Sequence, residues 1–250
     1  MASLGWRELV RFYRQRSRVV GTLGTPLLFW LFLGLGFGDS FRSGAGSSLE
    51  YFFPGAILLV VLFTSMFSNI SVIEDRNQGF LLSVLVAPIS RGALVGGKVL
   101  GCAVLGLVQG LIFLALAPAA GLRLGLWQAL EAAGVLLLVC MALTALGFYF
   151  AWRLDSVQGF HGVMNLVLMP MWLLSGALFP VSGAHPWLGW IMRLNPLTYG
   201  LAALRHSLSS APAPGSPSLG VSLAVVAVFG LAILGAGLRE VAKPASGGSA

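Results

Sequence analysis

The chain has 250 residues, of which 57% are apolar and only 9% charged, against about 25% charged in an ordinary soluble domain. That balance excludes a water-soluble globular fold and defines an integral membrane protein. The formal net charge of +7 would elsewhere suggest nucleic acid, but the basic residues flank apolar runs, where they set topology and meet anionic lipid headgroups. The expected partner is therefore the bilayer, with no nucleic acid.

Near the N-terminus, Trp6, Leu9, Val10 and Tyr13 recur at i, i+3, i+4 and i+7, while Arg7, Arg11, Arg14 and Arg18 form a separate stripe. This predicts an amphipathic helix over 4–18 in the cytoplasmic interface, serving as a topology anchor or as a transmitter of motion. The first apolar run starts near Val19 and is too long for a signal-peptide core, so no cleaved leader is expected.

About 20 apolar residues are needed to cross the hydrocarbon core. Segments at about 19–38, 51–73, 97–120, 129–151, 158–181 and 218–238 qualify. Barrel-type alternation is missing, so an all-α integral membrane fold of six transmembrane helices follows. With both termini on one face, that face holds Arg7, Arg11, Arg14, Arg16, Arg18, Arg76, Arg91, Lys98, Arg153, Arg239 and Lys243. The other holds Arg42, Arg123, Arg193 and Arg205. Eleven against four places both termini in the cytoplasm.

The connector between spans 2 and 3, residues 74–91, is longer than a turn requires. Glu74, Asp75 and Arg76 open it, Phe80, Leu81, Val84 and Leu85 offer an apolar helical face, and Pro88 ends that face. Such an element is a handle presented to a partner outside the bilayer. The stretch from Gly92 through Gly97 and Lys98 nearly spells a phosphate loop, but Val99 stands where the magnesium-binding hydroxyl belongs and no strand precedes it. No ATP site is expected on this chain. Its glycines instead give small-residue spacing for helix packing, Gly97 with Gly101 and Gly106 with Gly110.

Cys102 and Cys140 read as small apolar core residues. Glu131 reads as an interfacial cap at the outer end of span 4, ahead of a role as a proton or substrate ligand. Gln158, His161 and Asn165 line up within two turns of span 5, for interhelical hydrogen bonding or for lining a pathway. His185 and His206 are isolated from any metal-ligand spacing, and no nucleophile, base and oxyanion donor assemble, so neither a catalytic nor a metal site is expected. Residues 184–208 contain Arg193, Asn195 and Pro196 near their centre. An Arg at mid-membrane costs about 2.5–3.5 kcal/mol, and Pro removes a backbone donor. This segment is predicted as two short interfacial or re-entrant helices on the outer face, hinged at Asn195–Pro196, with Trp187 and Trp190 in an aromatic belt.

Three stretches carry a family resemblance. YFFPGAILLVVLFTSMFSNISVIEDRNQGFLLSVLVAPISRGALVGGKVLG spans 51–101, LLSGALFPVSGAHPW spans 173–187 and NPLTYGLAALR spans 195–205. With the six-span plan, they resemble the permease subunit of type-2 ABC exporters, the group of drug-resistance, nodulation-factor and polysaccharide export permeases. The resemblance implies that two permease chains pair, as a homodimer in preference to a heterodimer, each docked on a separate cytoplasmic ABC ATPase that holds ATP and Mg. It assigns Glu74, Gly79, Leu82, Pro88 and Arg91 to a coupling helix against that ATPase. It offers Phe63, Thr64, Phe67, Asn165 and Met169 as pathway-lining residues, and Asn195, Pro196, Tyr199 and Arg205 as the outer-face motif. Asn77 stands where the family often has a second acidic residue. The implied setting is a bacterial inner membrane, and the Leu-, Ala- and Gly-rich spans suggest a lipophilic or amphipathic cargo such as a drug or lipid-linked molecule.

The rivals are an ion- or proton-coupled carrier, a lipid-modifying membrane enzyme and a non-transporting scaffold subunit. No internal repeat, no mid-membrane acid and no cluster of catalytic side chains supports the first two.

Overall fold

The computed structural model describes residues 16–37, 47–79, 90–208 and 216–242. Among them every regular element is helical. We number the helices α1 (Arg16–Phe37), α2 (Ser48–Asn77), α3 (Arg91–Leu114), α4 (Leu126–Arg153), α5 (Val157–Ala177), α6 (Pro186–Leu194), α7 (Pro196–Leu208) and α8 (Leu219–Ala242). Among the described residues, α1 to α5 and α8 are the six helices long and apolar enough to cross a membrane.

Local chemistry sets the helix starts. Ser47, Ser90 and Ser156 each accept a hydrogen bond from the backbone N–H three residues on, at 3.2, 3.2 and 3.0 Å. At α4 the Gln128 side chain reaches back 3.0 Å to the Gly125 N–H. The cap at Ser90 starts α3 six residues before the predicted boundary at 97, and the helix ends at Leu114, before Pro118. Pro118 falls in a separate 3₁₀ turn, Ala117–Ala120. Arg16–Arg18 belong to α1, while residues 4–15 of the predicted amphipathic helix lie outside the described residues.

Helix α2 is the centre of the fold. Phe53 to Leu62 are buried without interruption, as expected of a helix that is apolar all round. Trp30 of α1, Phe53 of α2 and Phe113 of α3 meet with ring centroids 5.3 to 6.1 Å apart. The backbones of α2, α3 and α4 approach closely at Gly106, where an added Cβ would stand 3.0 Å from Cys140 Sγ and 3.3 Å from Ser65 Oγ. Helices α1 and α8 are peripheral and leave Phe32, Val228 and Leu231 about two-thirds exposed or more. Apolar faces of that extent fit lipid, not water.

Two predicted elements need correction. The charges at Glu74, Asp75 and Arg76 do not open a loop. They form the last turn of α2, because a buried partner for Asp75 lets the helix continue. Span 5 is not a single regular helix to 181. It runs from α-helix (Val157–Val163) into a π-helical segment (Met164–Leu168), a short α-helix (Met169–Trp172) and a second π-helical segment (Leu173–Ala177). Pro170 removes a helix donor, and Gly176 adopts φ +93°, a left-handed conformation that only glycine takes without cost.

Candidate functional site at the charged end of the helix bundle

Five helix ends meet where α2 gives way to the connector, and charged side chains tie them together. Within the bundle, Lys98 Nζ stands 2.8 Å from Asp75 Oδ2 and donates to Ser71 Oγ at 3.1 Å. Both charged groups are buried. Ser71 in turn donates to the Ser68 carbonyl at 2.7 Å. Since α3 begins at Arg91, Lys98 lies two turns inside a membrane helix, a position that requires a partner.

Arg76 extends from α2 to the opposite corner. It donates to the carbonyls of Trp152, at 2.7 Å, and Leu154, and meets Asp155 at 2.9 Å. These are the free carbonyls at the end of α4, where a cation also complements the helix dipole. Arg91 does the same for α8, donating to Val241 O at 3.0 Å and Ala242 O at 2.5 Å. Arg153 closes the set, donating to Tyr149 Oη at 2.8 Å with Glu240 at 3.9 Å. The connector's two flanks are therefore bound to one another through Asp75 and Lys98, and to α4, the turn that follows it and α8 through Arg76 and Arg91.

Of the sequence-predicted connector residues, Glu74 is half-buried in the last turn of α2, and Arg91 turns toward α8. Gly79 follows the C-cap with φ +73° and donates its N–H to Arg76 O at 3.0 Å, the left-handed stop that ends many helices. Leu82 and Pro88 lie outside the described residues.

The predicted pathway residues divide. Phe63 and Phe67 are half-buried on one face of α2 with centroids 5.9 Å apart, and Phe67 lies 5.9 Å from the His161 ring of α5. His161 itself donates Nδ1–H to Val157 O at 2.8 Å. Asn165 is exposed one turn on, and Met169 is half-buried beyond it. Thr64 turns the other way. It is fully buried and donates to Gln109 Oε1 at 2.9 Å, the same oxygen that Thr22 of α1 meets at 2.8 Å, so it ties three helices inside the bundle and lines no open face.

In the predicted outer motif, Asn195 caps α7 by accepting from Leu197 N–H at 3.0 Å, and Pro196 occupies the first helical position. Tyr199 Oη donates to Arg193 O at 2.9 Å. Along α2, Tyr51 and Asp75 are separated by about 36 Å at 1.5 Å per residue. Arg205 lies over the Tyr51 ring, so the motif sits at the end of the bundle opposite the charged cluster. Among the described residues no group of three or more His, Cys, Asp or Glu is placed to hold a metal.

Sequence reasoning missed the Asp75–Lys98 pair and the two arginine-to-carbonyl ties. Ser90 held the signal: placing the start of α3 at that cap puts Lys98 inside the helix and demands an acid across from it.

Six apolar helices, a charged connector end and an irregular fifth span with two short helices after it define a multi-pass membrane protein. Residues 1–208 match the ABC-2 type transporter family, and the chain belongs to it. It is 27% identical to the ycf38 transport permease of Cyanophora paradoxa, over 90% of this chain and 83% of that protein. It is 23% identical to the daunorubicin resistance ABC transporter permease protein DrrB1 of Streptomyces coeruleorubidus, over 80% and 72%. It is 25% identical to the inner membrane transport permease YadH of Escherichia coli K12, over 92% and 91%.

Proposed function

We propose that this chain forms half of the translocation pathway of an ATP-driven exporter, with a second copy as the other half. A separate cytoplasmic ABC ATPase, which binds ATP and Mg, drives it through the α2–α3 connector. The observation that carries this reading is the fastening of the connector's flanks. A displacement applied between Gln78 and Ser90 reaches α2 and α3 together through Asp75 and Lys98, and passes to α4, the turn before α5 and α8 through Arg76 and Arg91. A plain loop would dissipate it.

Both termini lie in the cytoplasm in this reading, and the membrane is the bacterial inner membrane. Phe63, Phe67, Asn165 and Met169 then line the pathway, with His161 beside them. An aromatic pair next to an exposed amide suits a lipophilic or amphipathic cargo. The daunorubicin resistance relative agrees with a drug-like molecule of that kind.

A thiol placed by Asn77→Cys tests the assignment, because residue 77 is exposed while the native Cys102 and Cys140 are buried. The expected result is labelling by an impermeant reagent only from the cytosolic side, and crosslinking from that position to an ABC ATPase in native membranes. Labelling from outside intact cells would refute the reading.

A further inference from the structure

The outer motif does more than turn the chain between α5 and α8: its side chains bind, one after another, backbone carbonyls along the irregular end of α5. Asn195 donates Nδ2–H to Met171 O at 2.5 Å. Thr198 Oγ1 lies 2.6 Å from Met192 O and 3.3 Å from Leu174 O. Arg205 donates Nη2–H to Gly176 O at 3.0 Å while its guanidinium carbon lies 4.6 Å above the Tyr51 ring of α2. The last contact has a chemical cause in the sequence. In a regular helix Gly176 O would accept from residue 180, which is Pro180 and has no N–H. Arg205 supplies a donor that the chain itself cannot. On the other side of α5, Trp172 donates Nε1–H to Gly55 O at 2.9 Å. A Cβ at Gly55 would stand 2.9 Å from that of Ala177, so α2 and the end of α5 touch backbone to backbone.

We propose that Asn195 and Arg205 are positioning residues of the transport pathway: they clamp carbonyls of the broken end of α5, while Thr198 donates its one hydroxyl proton to Met192 O of α6, and Arg205 on Gly176 O fixes where that end stands against Tyr51 and α2. Irregular backbone at membrane depth is stable only when neighbouring groups satisfy it. The clamp makes α7 and the end of α5 one moving body, and releasing Arg205 lets the end of α5 shift away from α2. The transport role rests on the reading above that α5 borders the pathway. The clamp itself does not.

The test uses the full-length chain in membranes and the rate of N-ethylmaleimide reaction at a thiol introduced by Ser175→Cys, one residue from Gly176 and 1% exposed. A thiol must reach water and ionise to react. Cys102 and Cys140, buried in the bundle, report any general unfolding in the same sample. Arg205→Gln should raise the rate at position 175 by about tenfold or more, the worth of a hydrogen bond to a charged group, with Cys102 and Cys140 still protected. Arg205→Lys keeps a donor and a cation over the ring and should restore protection. Gly176→Ala should match Arg205→Gln although its Cβ has ordinary clearance of 3.7 Å or more, because only φ +93° opposes it. Continued protection at position 175 in Arg205→Gln would overturn the clamp whatever Gly176→Ala does, as would Cys102 and Cys140 reacting in step with position 175. No transport enters this readout, so its failure is separable from that of the connector crosslink.

Discussion

Lys98 and Asp75 face each other between α3 and α2 with 2.8 Å from Nζ to Oδ2, and both are shut away from solvent. Removing one member leaves an unpaired buried charge, which costs about 3–5 kcal/mol, whereas replacing both with apolar groups of similar volume is often neutral. Asp75→Leu and Lys98→Met should each lower the thermal unfolding midpoint in detergent strongly, and the double variant should recover most of the loss. A double variant as unstable as the sum of the singles would show that the two side chains do not act as a pair.

Arg76 gives a contrast within one side chain. Its contact with Asp155 is to a carboxylate 95% exposed, and such surface pairs contribute about 0–1 kcal/mol. Its contacts with the Trp152 and Leu154 carbonyls close the end of α4, and hydrogen bonds from a charged group contribute about 1.5–3 kcal/mol. Asp155→Asn should therefore leave stability unchanged, while Arg76→Ala lowers it by about 2 kcal/mol. Arg76→Lys should recover only part, since one ammonium does not reproduce a planar fork on two acceptors. Equal losses from Asp155→Asn and Arg76→Ala would assign the effect to the ion pair instead.

The connector reading predicts uncoupling without misfolding. Gly79→Pro fixes φ near −65° where the chain needs +73°, and Glu74→Lys reverses a charge in the last turn of α2. An added Cβ at residue 79 meets nothing within 4 Å, so the change is confined to chain direction and to the Gly79 N–H bond on Arg76 O, which proline cannot make. In the assembled complex both variants should insert normally by protease protection and continue to hydrolyse ATP, while efflux of an amphipathic fluorescent dye falls. Undiminished efflux in both would remove these residues from the coupling role.

The spans were legible because hydropathy and length alone decide whether a helix can cross a bilayer, and the break at Asn195–Pro196 was legible because proline and the cost of placing Arg193 at mid-membrane argue against a continuous crossing. What stayed hidden depends on partners far apart in sequence. Asp75 reads as part of a stop signal until Lys98, 23 residues on, is seen to neutralise it inside the bundle. Thr64 and Phe63 are adjacent in sequence, yet one binds Gln109 in the core while the other faces outward, and only the azimuth of α2 separates them. Pro170, Gly176 and Pro180 mark where the fifth span can break, but nothing within that span shows what meets the carbonyls a break frees. The donors that meet them stand on Asn195 and Arg205, up to 29 residues away.

Helix α4 carries a test of how tightly the centre is packed. At Gly147 an added Cβ would lie 2.6 Å from Asn69 Nδ2 and 3.0 Å from Met66 Sδ, both on α2. Asn69 cannot simply swing aside, because Nδ2 donates to Ser65 O at 2.6 Å and to Thr144 O at 3.2 Å, the second bond joining α2 to α4. Gly147→Ala must therefore break that tie or push the helices apart, at a cost of about 1–3 kcal/mol for overpacking. Gly134 on the same helix has nothing within 4 Å of its added Cβ, so Gly134→Ala should leave stability unchanged or raise it. The pair separates helix propensity from packing: thermal unfolding should show a lower midpoint for Gly147→Ala alone. Similar midpoints for the two variants would mean that α2 and α4 are not in close contact at Asn69.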